Sequence, residues 1–352
     1  MADIYLFNPS TEIALAADSP SFTPTKAVRK FERELCLLPA LYAPAGSAIL
    51  LPPGCLTADE CEALPYFQTA SERGFTLVTT DDIPAGSRLI PWGWNRAVAH
   101  YARRKGFATE SIPSCEYISE LRACANRALT LKLWQEIVKS PDFAGSPLPV
   151  QLMDAKSLDT VLTGLGCDCI GKAPWSSSGR GVFPLTLPLP QIGRQRVADT
   201  IAKYGSIMVE PRWNKVLDFA SEWVYAAGEL TFLGYSVFES SESGRYSGNL
   251  VASQTELLSK ISAASRPGLP EKAVEAQRGA IFSALQKLMQ LHDNQPNLPP
   301  LHFGIDMLTD ANGAINPCVE LNLRRTMGHV AIDLYQLTEQ TFTFTPGSPL
   351  SF

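Results

Sequence analysis

Two apolar segments near the C-terminus, 301–308 and 314–321, leave little freedom in their own arrangement. They are separated by Asp310-Ala311-Asn312-Gly313, and Asn-Gly is the turn whose backbone twist matches two antiparallel strands. A hairpin is therefore predicted, and it carries polar residues where an apolar strand pair has no need of them. Glu320 and Asn322 are two apart and share one face, and the turn brings Asp306 alongside Glu320. Two carboxylates so placed repel each other unless a cation lies between them. With an amide oxygen beside them they form an all-oxygen donor set that suits magnesium, which often takes its remaining ligands from phosphates and water. Ordinary hairpin-edge acids are the plain alternative.

Three other clusters share that character. Lys172 ends an apolar strand just before Ser176-Ser177-Ser178-Gly179-Arg180-Gly181; amides of such a loop can cradle phosphate oxygens while the lysine adds a point charge. This is no Walker A motif, because the lysine precedes the glycines, and a solvated loop is the bland alternative. Arg324-Arg325-Thr326-Met327-Gly328 follows the hairpin directly, and arginine offers a rigid fork for carboxylate or phosphate. Glu210-Pro211-Arg212 ends another strand, with Lys215 and Asp218 beyond it. A hinge there can present backbone groups to a purine edge and an acid to a ribose.

Composition excludes several classes. With 45% hydrophobic and 18% charged residues, the 352-residue chain is neither disordered nor fibrous. It is long enough to bury a core without disulfides or structural zinc. Its 30 basic against 35 acidic side chains give a net charge of -5. The runs Lys26–Lys30, Arg103–Lys105 and Arg324–Arg325 make no nucleic-acid footprint, although a small polyanion needs only a few local cations. The 8 cysteines form no CxxC framework and only 4 histidines exist, too few ligands for a zinc enzyme. Cys167-Asp168-Cys169 reads as part of a buried strand. Neither a GxSxG elbow nor a Ser-His-Asp order is present. No basic residue precedes Lys26 and no apolar run reaches membrane-spanning length; a soluble, cytoplasmic protein without membrane contact is expected.

Along the first 110 residues, strand candidates at 4–7, 48–51, 76–79 and 89–90 alternate with helical segments at 25–38, 57–63, 66–73 and around Val98 and Tyr101. That alternation predicts a small α/β unit with a parallel sheet. A helix is expected over 121–129 running into 131–138. Short strands at 150–153, 167–171, 182–183 and 206–210, with a helix over 191–204, predict a compact lobe around the Ser/Gly loop. From 222 the pattern becomes antiparallel, with strands at 222–226, 230–238 and near Leu250, a helix over 271–291, the hairpin, and a helix over 330–337. His302, His329, Tyr246 and Asn249 are each either structural or neighbours of a substrate. Trp92 and Trp94 line a crevice or, the favoured reading, pack an interdomain seam.

Taken together, Lys132 in Leu131-Lys132-Leu133, Lys172 in IGKAPWSSSGRGVF, Glu210 in IMVEPRW, HFGIDML and VELNLRRTMG resemble the ATP-grasp superfamily, whose closing pattern is an Asp on one strand and Glu-x-Asn-x-Arg on the next. The resemblance covers about residues 115–340, with the first 110 similar to the small pre-ATP-grasp domain. It implies an α/β protein with α+β lobes: a pre-ATP-grasp-like domain over 1–114, then an ATP-grasp-like domain over 115–352, with a lid lobe at about 150–210 and a metal and substrate lobe at about 211–340. It implies that Lys132 and Lys172 grip phosphates and that the loop from Ser176, Ser177 and Ser178 through Gly179 to Gly181 covers them. Glu210 would lie near the adenine amino group and Asp218 at the ribose. Asp306, Glu320 and Asn322 would hold Mg2+, with Mn2+ as a substitute, and Arg324 would steady an acyl phosphate. Pro211 and Trp213 depart from the usual hinge, which weakens the ribose assignment. The implied activity is an ADP-forming ligase using ATP to join a small carboxylate to an amine or thiol. A kinase that stops at phosphorylation, and a nucleotide sensor without turnover, are the alternatives. A homodimer is compatible with such a chain.

Overall fold

The computed structural model describes residues 2–52, 58–175, 181–241 and 246–350. Near the N-terminus, β1 (Asp3–Leu6), β2 (Ala48–Leu50), β3 (Thr76–Val78) and β4 (Arg88–Pro91) form one sheet in the order β3-β2-β1-β4. Every neighbouring pair is parallel, as the alternation predicted. The connections contain α1 (Thr11–Ala17), α2 (Lys26–Glu34), α3 (Ala58–Glu62) and α4 (Phe67–Glu72), and α5 (Arg96–Arg104) follows β4. The helix expected over 25–38 stops at Glu34. Pro39 has no N–H to continue it, and Leu38–Leu41 turn instead as a 3-10 segment. No residue of α2 is buried, whereas Leu35, Leu37, Leu38 and Leu41 are.

The expected single helical run after residue 115 is two helices, α6 (Cys115–Cys124) and α7 (Ala128–Ile137). The break at 125–127 has a structural use: the backbone N–H of Arg127 donates to the Pro174 carbonyl at 2.9 Å. Beyond α7 come β5 (Val150–Leu152), α8 (Leu158–Leu165), β6 (Cys169–Lys172), β7 (Val182–Leu185), α9 (Gln191–Tyr204) and β8 (Ile207–Pro211). The strands pair antiparallel in the order β5-β8-β6-β7. Their apolar residues, among them Leu162, Cys169, Phe183, Val197 and Ile207, pack into a core confined to residues 152–209. A body with a core of its own keeps its shape when it tilts against its neighbours.

The third sheet holds β9 (Lys215–Ala226), β10 (Glu229–Ser240), β11 (Tyr246–Val251), β12 (Leu301–Asp310), β13 (Ile315–Asn322) and β14 (Phe342–Phe344) in the order β13-β12-β9-β10-β11-β14. The β9–β10 turn places Ala227 and Gly228 at φ 50° and 79°, the geometry of a tight right-twisted hairpin. At the β12–β13 turn, Asp310 accepts from the N–H groups of Asn312 and Ala314 at 2.9 and 2.8 Å, so its side chain closes the predicted hairpin. Helix α10 (Gln254–Ala263) was not anticipated; α11 (Leu269–Asp293) and α12 (Met327–Thr338) extend the predicted ones at both ends.

The two faces of this sheet do different things. On one, Phe219, Trp223, Phe303, Ile305 and Met307 are buried in the core with Ile281, Leu285 and Leu288 of α11, and Ser221 donates to Gln277 of α11 at 2.7 Å. Alternation sends Asp218, Ala220 and Glu222 of β9 to the opposite face, where α12 covers one end by packing on β9, β10 and β11. Val330 and Leu334 of α12 share a cluster with Leu37, Leu38 and Trp92, so the core continues across the seam to the N-terminal sheet. No described helix is long and apolar enough to cross a membrane.

Candidate active site

Register places the polar residues of the second face in a checkerboard. Asp306 pairs with Glu320 on one side and Ala220 on the other, and Gly304 pairs with Asn322 and Glu222. Four acceptor side chains, Asp306, Glu320, Asn322 and Glu222, thus surround a floor made of the two smallest residues. Burial, together with the charges of Glu320 and then Glu222, holds the Asp306 carboxyl well above its ordinary value, and the Asn322 hydrogen bond and Arg324 only partly oppose this. The hairpin acids thus lie side by side on one sheet face as an anionic basin.

Cations reach over it from two directions. Lys172, buried at the end of β6, pairs with Glu210 at 2.8 Å and donates to the Val319 carbonyl of β13 at 3.2 Å. β6 is thereby tied to β13, and Lys172 is paired with Glu210, a contact the sequence did not suggest. From the break between α6 and α7, Arg127 reaches Glu320 at 2.5 Å and the Ala173 carbonyl at 2.8 Å. Arg127 is 6% exposed.

Lys132, expected to grip phosphate, lies on an exposed position of α7, where its charge partly opposes the raised Cys124 thiol of α6. Five residues along a helix turn the side chain about 140°, so the face that carries Arg127 inward carries Lys132 away. Arg127, at the break before α7, is the cation of this segment that pairs with Glu320. The sequence offered a cation next to a helical break, but nothing in that pattern separates a functional arginine from a capping one.

Asp218 lies on the same sheet face as Asp306, opposite Leu308, and is held by Lys215 and Ser240, both at 2.5 Å. Ser176, Ser177, Ser178 and Gly179 lie outside the described residues. Gly181 is described, at φ 74°, and its carbonyl accepts from the Ala173 N–H at 2.9 Å.

Arg324 is committed in three directions. Its Nε donates to Glu12 of α1, its Nη1 to the Arg325 carbonyl and its Nη2 to Asn322. Glu12 is buried, and its Oε2 has no partner. The N-terminal unit therefore supplies a carboxylate to the basin's rim, which no motif revealed.

Glu222 was also missed, although it lies four residues beyond Asp218 and so shares its strand face. It accepts from Ser236 and Thr326, both at 2.8 Å, and pairs with His329 at 3.0 Å. Burial alone would raise its carboxyl, but His329, Thr326 and Ser236 together bring it below the usual value. Gly304 and Gly328 exist to admit it: a Cβ at either position would sit 2.6 or 1.9 Å from its oxygens. His329 caps α12 through Thr326 and faces the Trp223 carbonyl, which makes it structural. His302 points away from Asp306 toward Arg325, whose Nη2 lies 2.9 Å from its Nε2; burial first, then Arg325 and His329, hold its pKa well below 6.5. Asn249 is buried and bonded to Tyr246 at 2.6 Å.

Among the described residues, no group of three or more His, Cys, Asp or Glu is placed to hold a metal ion. The set at issue is two carboxylates and an amide, with directly opposed acids whose mutual repulsion is visible in the raised Asp306 carboxyl. Those residues fit a hard divalent cation.

No protein-family model matches this chain, and no curated protein sequence matches it. Solved structures do. The chain is similar to the biotin carboxylase of the β,γ-ATP complex from Campylobacter jejuni, at 12% identity and a TM-score of 0.53 over 94% of this chain and 67% of that one. It is also similar to the biotin carboxylase domain of Hydrogenobacter thermophilus 2-oxoglutarate carboxylase, solved with MgADP, ADP and bicarbonate, at 11% identity and a TM-score of 0.50 over 97% and 71%. With the parallel N-terminal sheet, the separate four-stranded lobe and the six-stranded sheet in place, the architecture is an ATP-grasp-like fold: a small parallel-sheet α/β unit followed by a larger α+β region.

Proposed function

We propose that the protein is an ATP- and Mg2+-dependent, ADP-forming ligase that joins a carboxylate to an amine or thiol through an acyl phosphate. The observation that carries this reading is the anionic basin of Asp306, Glu320 and Asn322 with two buried cations from separate elements, Arg127 paired to Glu320 and Lys172 bonded to the Val319 carbonyl beside it. Both similar structures named above were solved with adenine nucleotides, and the fold itself is compatible with nucleotide held between the four-stranded lobe and the six-stranded sheet. Asp306, Glu320 and Asn322 would hold the cation, which when bound supplies positive charge to the phosphate oxygens.

In this scheme a carboxylate oxygen of the substrate bonds to the γ-phosphorus as the bond to the bridging oxygen of ADP breaks. The amine or thiol then adds to the acyl carbon, loses its proton, and expels inorganic phosphate. Lys172 and Arg127 offset the charge spread over the transferring group. Glu210 holds Lys172 in place, and Asp218 is available to a ribose at the hinge end of the same face. Arg324, fixed by Glu12 and Asn322, presents its remaining N–H groups to the acyl phosphate. No residue of the chain becomes covalently modified.

An ADP-release screen over paired carboxylates with amines or thiols tests this. We expect turnover that needs both partners and falls by about 100-fold or more in Lys172→Ala and Glu320→Ala. Turnover left intact in both variants would sink the site assignment, and ADP formed without an acceptor would make the protein a kinase.

A further inference from the structure

Three residues that follow Lys172 directly, 173–175, lie against the end of α6 and the break before α7. Arg127 holds the Ala173 carbonyl with its Nη1 at 2.8 Å and the Pro174 carbonyl with its backbone N–H at 2.9 Å. The Trp175 Nε1 donates to the Arg122 carbonyl at 3.2 Å. Arg122, in the last turn of α6, grips the same ring a second time, its guanidinium carbon 4.4 Å from the ring centre. Trp175 is thus held at its edge by the backbone of one residue and on its face by that residue's side chain.

Arg122 is itself fixed to the N-terminal unit. Its Nε donates to the Leu15 carbonyl at 2.7 Å, and its Nη2 lies 3.5 Å from the Ala16 carbonyl. Both belong to the last turn of α1, where carbonyls find no partner within the helix. The guanidinium does two tasks at once: its N–H edge is spent on carbonyls, and its flat face is left to stack. Asp18, which ends α1, lies 3.9 Å from Arg122 and pairs with Arg96 of α5 at 2.8 Å, which braces the anchor. Nearer its start, α1 holds Arg324 through Glu12. One helix of the N-terminal unit therefore reaches both halves of the candidate site: the six-stranded sheet at Arg324, and the four-stranded lobe at Trp175 by way of Arg122.

Three residues of chain span at most about 11 Å, so where Trp175 is held, Lys172 at the end of β6 is held as well. The lobe has a core of its own, and such a body turns about its points of attachment. We propose that Arg122 and Trp175 form the pivot that sets the lobe's height over the six-stranded sheet, with Arg122 a positioning residue for Lys172. The pivot rests on these contacts alone; its consequence for nucleotide rests on the reading of the basin above. Arg122 acts through Trp175, not by contact with the nucleotide.

Nitroxide labels on two exposed cysteines, Cys115 of α6 and Cys167 of the lobe, read the pivot without nucleotide, in a Cys55→Ser background that confines the labelling. The other described cysteines are buried. The interspin distance distribution, measured by pulsed electron resonance, should be narrow in the parent chain and broaden in Trp175→Ala and in Arg122→Ala. Trp175→Phe keeps a ring for the guanidinium and should lie nearer the parent than Trp175→Ala does. Calorimetric titration of ADP with Mg2+ should show binding weakened by about five- to thirtyfold in the two alanine variants, again with partial rescue in Trp175→Phe. Distances unmoved by both alanine variants would overturn the pivot, and a lower urea midpoint beside unmoved distances would make the pair a plain stability contact. Broadened distances with ADP affinity unchanged would overturn the positioning of Lys172. A parent chain that binds no ADP in the presence of Mg2+ would refute the basin and leave the distances to judge the pivot, so the two readings fail separately.

Discussion

At the scale of single residues, the account turns on which cation completes the basin. Arg127→Gln removes a buried guanidinium that pairs with Glu320 and should weaken nucleotide binding or turnover by about tenfold to 1,000-fold. Lys132→Gln, on the exposed side of α7, should change either by less than about twofold. Equal losses in the two variants, read by nucleotide titration, would show that pairing with Glu320 gives Arg127 no special role. The hairpin acids were legible because their pairing is set by a turn that begins only four residues after Asp306. Arg127 was not, because its partner lies 193 residues away and the helical break that aims it leaves no mark in hydropathy. Glu12 was hidden for the same reason, its arginine lying 312 residues distant.

At the scale of elements, the N-terminus of α12 is built around Glu222. Gly328→Ala would place a methyl group 1.9 Å from the Glu222 Oε1, and no rotamer change of a doubly bonded buried carboxylate is free. We expect a loss of about 1–3 kcal/mol in unfolding free energy, measured by urea denaturation, whereas Gly279→Ala on α11, where a Cβ would meet nothing within 4 Å, should be neutral or stabilising. Strand and helix types were readable from alternation and apolar spacing. Boundaries were not, because the ends are fixed by contacts made elsewhere: Pro39 cut α2 short, and pairing with β10 and β12 carried β9 back to Lys215.

The same region sets a pH dependence. His302 titrates well below 6.5 when folded, and the His292 pKa is lowered too, mainly by burial. A depressed histidine means that the unfolded chain binds more protons at and below pH 6.5, so stability is full above that value and declines as pH falls. The slope is at most about 1.4 kcal/mol per pH unit for each histidine. The raised Asp306 and Asp333 carboxyls act in the opposite sense, so the comparison is between variants: from about pH 7.5 to 5.5 the wild-type denaturation midpoint should fall relative to that of His302→Gln. A difference between the two that stays constant over that interval would contradict the burial and charge arrangement around Arg325.

For the whole molecule, the separate core of residues 152–209 matters most. Its described polar links to the rest include Arg127 with the Ala173 and Pro174 carbonyls, Lys172 with Val319, and Trp175 with the Arg122 carbonyl. Few links and an independent core predict that this lobe opens as a unit. Amide exchange across 150–211 should slow together when nucleotide is added, while the N-terminal sheet stays unchanged. Protection confined to β12 and β13 would show that the lobe takes no part in closure.

In the proposed site Asp306, Glu320 and Asn322, with Lys172 and Arg127 from neighbouring elements, hold a metal-bound nucleotide. Calorimetric titration of ADP with and without Mg2+ addresses it directly, in the wild-type chain and in Glu320→Gln. Binding that requires Mg2+ and weakens by about 30-fold or more in the variant is the predicted result, that factor being roughly 2 kcal/mol. ADP binding that is indifferent both to Mg2+ and to Glu320 would contradict it.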